Sequence, residues 1–449
     1  MGSKVVDMTT GSPARHILSF AVPLICGYML QQMYLIIDAA IVGRFIGVGA
    51  LAAVGASTSI TFLILGFCNG CCSGFAIPIA QSFGARDYAA MRSYVYNSIR
   101  LSVIIAVVLT ILMSLLCTPI LQLVETPKDI FGDAYKFLLI TFFTIPFIIA
   151  YNLLSGWMRS LGNSRVPFYF LVLSSLINII LDFILIVGYK AGVEGAAFAT
   201  MISQALAAYW CYMYIRKKMP VLLPKAEERN YQKTKVLTLL NNGIPMGLQF
   251  SITAIGIIML QRANNALGTL YVATFVASLR VKYFFTCVLE NLGVAMATYC
   301  GQNLGARKIQ RIVMGIRSSL KISVVYVAAS VVIMYFFAKD FTYLFVDSSH
   351  TDIVNNATMY LQINSYFYLL LGILTIFRYS IQGLGYSNLS MCSGVAEMIA
   401  RTGVSLWLVP ALGFFGVCLG DPVAWLFADL FLIPAFIILY HHIKTKYQK

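Results

Sequence analysis

Apolar stretches free of charge recur along almost the whole chain, and many reach the ~18 to 20 residues that carry a helix across a bilayer. Backbone in hydrocarbon must satisfy its own hydrogen bonds, so such stretches become helices or strands of a closed barrel. Barrel strands would appear as alternating segments of about 10 residues, a pattern this sequence lacks. The reading is an all-α polytopic membrane protein. Charged residues make up only 11% of the chain, against roughly 25% in an ordinary soluble domain, which excludes a soluble globular enzyme.

Charges and turn residues divide the 449 residues into twelve predicted spans. They lie at about 15–43, 49–82, 90–118, 130–157, 166–189, 193–216, 237–266, 270–301, 309–338, 353–382, 389–410 and 416–443. The longest polar connection, Lys217 to Lys235, splits them six and six. The expected organisation is an N-lobe over 1–216, a cytoplasmic linker over 217–236 and a C-lobe over 237–449. Of the 32 Lys and Arg, 20 fall on the termini and alternate connections and five on the opposite side. By the positive-inside rule both termini are cytoplasmic. The net charge of +15 therefore encodes orientation, and no nucleic-acid partner is needed to explain it.

The chain also repeats itself. Gln81-Ser-Phe-Gly84-Ala85-Arg86 closes span two and Gln302-Asn-Leu-Gly305-Ala306-Arg307 closes span eight, 221 residues later. The same offset pairs Ala56-Ser57 with Ala277-Ser278 and Gly195 with Gly416, and an offset of 223 pairs Leu161-Gly162 with Leu384-Gly385. Six helices per repeat is an even number, so both halves enter from one side and are parallel repeats. The expected architecture is two six-helix lobes related by a pseudo-two-fold axis along the membrane normal.

With charge so scarce, an acid inside a span is informative. Asp38 lies deep in span one and Asp182 in span five, where an ionised carboxylate costs at least ~2.5 to 3.5 kcal/mol. Tyr34 stands one turn before Asp38, and Asn178 one turn before Asp182. Thr200 falls in the first turns of span six. This set offers carboxylate, amide and hydroxyl oxygens without thiol or imidazole, which suits a proton or Na+ held at Asp38, Asn178, Asp182 and Thr200 rather than a transition metal. Two nearby carboxyls can also hold one proton between them. Pro23 gives span one a place to bend. Gly66, Gly70 and Gly74 form a one-face ladder for close helix packing. The cluster Cys68, Cys71 and Cys72 lies mid-span without a second ligand pair and reads as packing.

These residues resemble the multidrug and toxic compound extrusion (MATE) transporters. The resemblance covers nearly the whole chain. It rests on the twelve spans, the duplicated Gln-x-x-Gly-Ala-Arg signature and the string Gln31-Gln-Met-Tyr34-Leu-Ile-Ile-Asp38-Ala-Ala-Ile-Val-Gly43. Asn178-x-x-x-Asp182 and Gly195-Ala-Ala-Phe-Ala-Thr200 complete it. The resemblance implies antiport through a V-shaped pair of lobes, with protons or sodium ions moving inward as amphipathic organic cations leave. Gln31, Met33 and Asn152 are the expected substrate contacts, with Glu290 as a further candidate for cation or substrate. The chain is expected to act as a monomer in the cell membrane, with no cofactor beyond the coupling ion.

Many relatives carry acids in spans seven and ten, whereas here those spans are acid-free apart from an edge. The driving cation is thus expected in the first lobe only. The second lobe holds Arg280, Lys282, Glu290, Arg378, Glu397 and Arg401, with Glu397 and Arg401 spaced for an i,i+4 ion pair. Two other functions compete. A flippase for lipid-linked precursors would use Arg280, Lys282, Arg378 and Arg401 as a cationic cleft. A membrane-embedded transferase would need clustered catalytic acids or histidines, and the four histidines are scattered at 16, 350, 441 and 442. No Walker sequence or hydrolase motif is present, so the expectation is a transporter and not an enzyme.

Overall fold

The structure is a computed structural model describing residues 5–124, 126–346 and 350–448; Lys4 and Lys449, two of the basic residues counted above, lie outside them. Twelve helical segments follow one another among the described residues. They are α1 (Pro13–Phe45), α2 (Val48–Gly84), α3 (Tyr88–Leu123), α4 (Phe131–Ser160), α5 (Arg165–Gly188) and α6 (Gly192–Lys218). After two short 3-10 turns, Pro220–Leu222 and Ala226–Glu228, come α7 (Lys233–Asn265), α8 (Thr269–Gly305) and α9 (Ile309–Tyr343). The last three are α10 (Thr351–Tyr366 and Tyr368–Gly383), α11 (Ser387–Leu412) and α12 (Phe414–Gln448). No strand occurs among the described residues.

Ten of these segments are long and apolar enough to cross a membrane among the described residues, and the two pieces of α10 together make an eleventh. The twelfth, α6, has the length, 27 residues, but its opening Gly-Val-Glu-Gly-Ala-Ala-Phe-Ala-Thr replaces bulky aliphatics with small residues and Arg216, Lys217 and Lys218 close it. Its Ala196, Ala197 and Ala199 are buried, so small size here serves close packing.

Span ten, expected as one helix, breaks at Phe367 with a bend of 50°. No proline causes it. Asn364 Nδ2 donates to Tyr360 O at 3.0 Å and to Cys418 O at 3.3 Å, and Ser365 Oγ donates to Gln362 O at 2.7 Å. Side chains that bond backbone carbonyls just before the break compete with the helical ladder.

The repeat is written into the backbone. α5 ends in a π-helical stretch, Phe183–Gly188, and α11 contains one at Val404–Leu408, so the two begin 221 residues apart. Positive φ recurs at the same offset in Gly47 and Gly268, in Arg86 and Arg307, and in Gly192 and Gly413. At the end of α2, Arg86 N donates to Phe83 O at 2.9 Å and Asp87 N to Ser82 O at 3.0 Å; Arg307 and Lys308 repeat this closure at 2.9 and 2.8 Å after α8. A left-handed arginine, φ 58° and 56°, costs roughly 1 kcal/mol, offset by the satisfied helix-end carbonyls.

The chain divides into two compact units. The first comprises the described residues up to Asp7 and Val22–Gly247; the second comprises Met8–Ala21 and the described residues from Leu248 onward. In the first unit, a Cβ placed on Gly70 would meet Met246 O at 2.6 Å, and one on Gly74 would meet Asn242 O at 2.5 Å. The glycine ladder therefore lets the backbones of α2 and early α7 touch. Cys68, Cys71 and Cys72 are free thiols buried in the same unit, with Cys68 and Cys72 packed in a core with Phe75, Phe142 and Trp157. In the second unit, Met8 N donates to Gln302 Oε1 at 2.9 Å, and Arg311 Nη2 donates to Met8 O at 3.1 Å and Gly11 O at 3.0 Å. The signature glutamine of α8 thus anchors the N-terminal peptide.

Candidate functional site

In the first unit, α1 supplies Gln31, Tyr34 and Asp38, α5 supplies Asn178 and Asp182, and α6 supplies Thr200. The carboxyl groups of Asp38 and Asp182 lie within hydrogen-bonding reach of each other. Asp182 is fully buried, and neither of its oxygens receives an N–H or O–H among the described residues. Asp38 Oδ1 is likewise without a donor. Tyr34 hydrogen-bonds Gln31 and lies close enough to both carboxyls to feel their charge.

Asn178 is 2% exposed and donates through Nδ2 to Thr200 Oγ1 at 3.4 Å, leaving its own Oδ1 without a partner. Tyr34, Asp38 and Asp182 therefore meet as one group, and Asn178, one turn before Asp182, pairs with Thr200. Asp182 is the last α-helical residue before the π-helical stretch, and such bulges alter the register of side chains and recur at functional positions. A buried Asp182 beside a half-buried Asp38, with three of their four oxygens buried and without donors, is costly if both are ionised; one proton between them supplies a missing hydrogen bond. A monovalent cation is the other solution, since Asn178 Oδ1 and the carboxylates are free acceptors. Among the described residues, no cluster of three or more His, Cys, Asp or Glu could hold a metal ion.

Met33 is 51% exposed, and Asn152 spends its Nδ2 on Ile148 O at 3.0 Å within its own helix. Pro23 sits inside α1 without ending it. Glu290 belongs to the second unit, where it lines a cavity of about 130 Å³.

Around that cavity runs a chain of ion pairs that the sequence showed only in part. The Glu397–Arg401 pair is present at 3.1 Å, as the spacing predicts. Arg401 Nε also donates to Asp421 Oδ1 at 3.0 Å, Lys282 Nζ to Asp421 Oδ2 at 2.5 Å, and Arg378 Nη2 to Glu397 Oε1. Asp421 and Asp429, both buried, were missed by sequence reasoning. The available signal for Asp421 was the 221 offset, which sets it opposite Thr200.

A family model described as MatE matches residues 23–184 and 244–407, more than half of the chain and both halves of the repeat. The chain belongs to the MATE family of transporters. It is 27% identical over 365 residues to the probable multidrug resistance protein YoeA of Bacillus subtilis, covering 80% of this chain and 78% of the relative. To the probable multidrug resistance protein YpnP of the same organism it is 26% identical over 420 residues, 93% and 92% of the two chains. The fold matches an outward-facing multidrug resistance MATE transporter of the MOP superfamily with a TM-score of 0.92, 22% identity and 99% coverage of both chains. A MATE structure in a bent conformation matches equally well, at 0.92 over 100% of both chains. Membership and apolar helices together make this a multi-pass membrane transporter.

Proposed function

We propose that this MATE-family chain is a secondary antiporter of the plasma membrane, exporting amphipathic organic cations in exchange for protons. The observation that carries the coupling is the Asp38–Asp182 pair, two carboxyls within reach of each other whose buried oxygens lack donors. Loading a proton there neutralises the pair; losing it restores repulsion inside a low-dielectric pocket, and that difference biases the geometry of α1 against α5. Pro23, with no backbone N–H to hold the helix straight, is the hinge on which α1 responds. Each charge moving down the membrane potential contributes about 2.3 kcal/mol per 100 mV.

The substrate class rests on the relatives, whose names describe multidrug resistance. Gln31, Met33 and Asn152 are the proposed substrate contacts of the first unit. Both termini are cytoplasmic and the chain works as a monomer without enzymatic activity. Sodium at Asp38, Asn178, Asp182 and Thr200 is the competing coupling ion. The flippase reading is weakened, because Lys282, Arg378 and Arg401 are bound in ion pairs and leave Arg280 outside the chain of pairs.

The test is efflux of a fluorescent organic cation from vesicles after a pH jump, with sodium absent. The native chain drives efflux and Asp38→Asn abolishes it at equal expression. Undiminished efflux in Asp38→Asn overturns the reading, and efflux that requires a sodium gradient at clamped pH replaces the proton with sodium.

A further inference from the structure

The cavity of the second unit is lined by six ionisable charges, and five of them form a continuous chain of pairs. Lys282 pairs with Asp421, Asp421 with Arg401, Arg401 with Glu397 and Glu397 with Arg378. Three cations against two anions leave one positive charge over. Glu290 is the sixth charge. Its carboxyl lines the same cavity, yet no hydrogen bond to it occurs among the described residues, while Arg378, Glu397 and Arg401 lie close enough to act on it electrostatically.

A carboxylate whose role was structural would close one of these pairs. Instead Arg401, only 3% exposed and lining the cavity, leaves Nη1 without an acceptor, so a free donor and a free carboxyl line one cavity. The volume, about 130 Å³, decides what the space can hold. Drug-sized ligands occupy pockets of about 300 to 1,000 Å³. This one is smaller and has room for several waters.

The surroundings also separate a proton from a metal ion. Tyr283 and Lys282 face Glu290 from α8, Arg378 from α10, Glu397 and Arg401 from α11, and Asp421 from α12; α7 adds Thr253 and apolar residues. A metal ion would enter beside three fixed cations. A proton on Glu290 needs no further ligand and leaves the ion-pair chain as it is. With Glu290 ionised the lining is neutral; with Glu290 protonated it carries the one surplus positive charge.

We propose that this cavity is a second proton-binding site, in which Glu290 takes up and releases a proton through water in the cavity while the Lys282–Asp421–Arg401–Glu397–Arg378 chain stays charged. It is separate from the Asp38–Asp182 pair and does not depend on that reading. It would extend ion exchange to the second half of the chain.

Trp425 lines the cavity and provides the probe. In the full-length protein with Trp157, Trp210 and Trp407 replaced by Phe, Trp425 emission is titrated across about pH 5 to 9, the range over which buried carboxyls exchange protons. The expected result is a one-proton step that disappears in Glu290→Gln and survives in both Asp38→Asn and Asp429→Asn. Asp429 requires that control because it is 4% exposed, has both oxygens without partners, and lies near Arg378 and Glu397. Absence of the step, its persistence in Glu290→Gln, its loss in Asp429→Asn alone, or its production by sodium at fixed pH overturns the proposal. Should the single-tryptophan protein fail to fold, infrared difference spectra of the otherwise native chain test the same carboxyl. A protonated-carboxyl C=O band must be lost in Glu290→Gln, and a spectrum unchanged by that substitution refutes the site.

Discussion

Thr200 and Asp421 occupy the same place in the two halves of the chain, 221 residues apart and each eight residues after the positive-φ glycine, Gly192 or Gly413, that precedes them. Thr200 accepts one hydrogen bond from Asn178 at 3.4 Å. Asp421 accepts from Lys282 at 2.5 Å and from Arg401 at 3.0 Å. One position therefore carries a neutral hydroxyl beside Asn178 in the first half and an anion held between two cations in the second. Duplication preserved the backbone while the side chains diverged in electrostatic role.

That divergence predicts unequal costs of substitution. Asp421→Asn leaves Lys282 and Arg401 facing a missing anion in a buried setting, a loss of about 3 to 5 kcal/mol. Thr200→Val removes one long neutral hydrogen bond and costs no more than about 1.5 kcal/mol. Thermal unfolding in detergent checks this: Asp421→Asn should melt far below the native chain or fail to accumulate, with Thr200→Val close to native. Equal losses in the two variants would refute the assignment.

The Asp38–Asp182 pair predicts non-additivity. Groups that share one proton act as a unit, so breaking either member removes the function of both. Asp38→Asn and Asp182→Asn should each bring proton-driven efflux to background, and the double variant should be no worse than either. If the singles retain partial activity and their fractional losses multiply in the double, the carboxyls work independently.

The glycine ladder predicts a position-specific effect. At Gly74 an added methyl meets backbone atoms of Asn242 and Gly243 at 2.5 and 2.6 Å, and backbone cannot swing aside. Gly74→Ala should destabilise by about 1 to 3 kcal/mol. Gly132, in the first turn of α4, has nothing within 4 Å of such a methyl, and Gly132→Ala should be neutral or stabilise by up to about 1 kcal/mol. Paired melting curves decide the matter; a Gly74→Ala chain as stable as native would mean the helices are free to separate.

The helical architecture was legible because hydrocarbon leaves a chain few options, so apolar length and basic flanks report spans directly. Asp38 and Asp182 were legible for the complementary reason that charge is expensive there. The ion-pair chain was not. Only Glu397 and Arg401 meet through a helical period, while Lys282 and Asp421 are 139 residues apart and Arg378 and Glu397 are 19 apart. No local pattern encodes such pairings, which depend on which helices pack together. The break at Phe367 escaped for a similar reason: Asn364 reaches Cys418 O on α12, a partner that sequence spacing cannot name.

The connection between the halves carries the final prediction. Arg92, in the first turns of α3, donates from Nε to Glu228 Oε2 at 2.6 Å and from Nη2 to Oε1 at 2.5 Å. Lys225 N adds a bond to the same Oε2 at 2.9 Å. The guanidinium, assisted by that backbone donor, holds the Glu228 carboxyl down to about 2 from its ordinary 4.5. Because the folded value lies below the unfolded one, the stabilisation is complete above pH 4.5 and is lost as pH falls toward about 2. The pair lies at the cytoplasm-facing linker as proposed, and its worth is about 1 kcal/mol. Glu228→Gln should therefore lower the melting temperature by roughly 1 to 4 °C at neutral pH. The gap to the native chain should narrow steadily as the buffer is taken below pH 4.5. A gap that is constant with pH would show that the substitution acts through packing of the linker and not through the charge of Glu228.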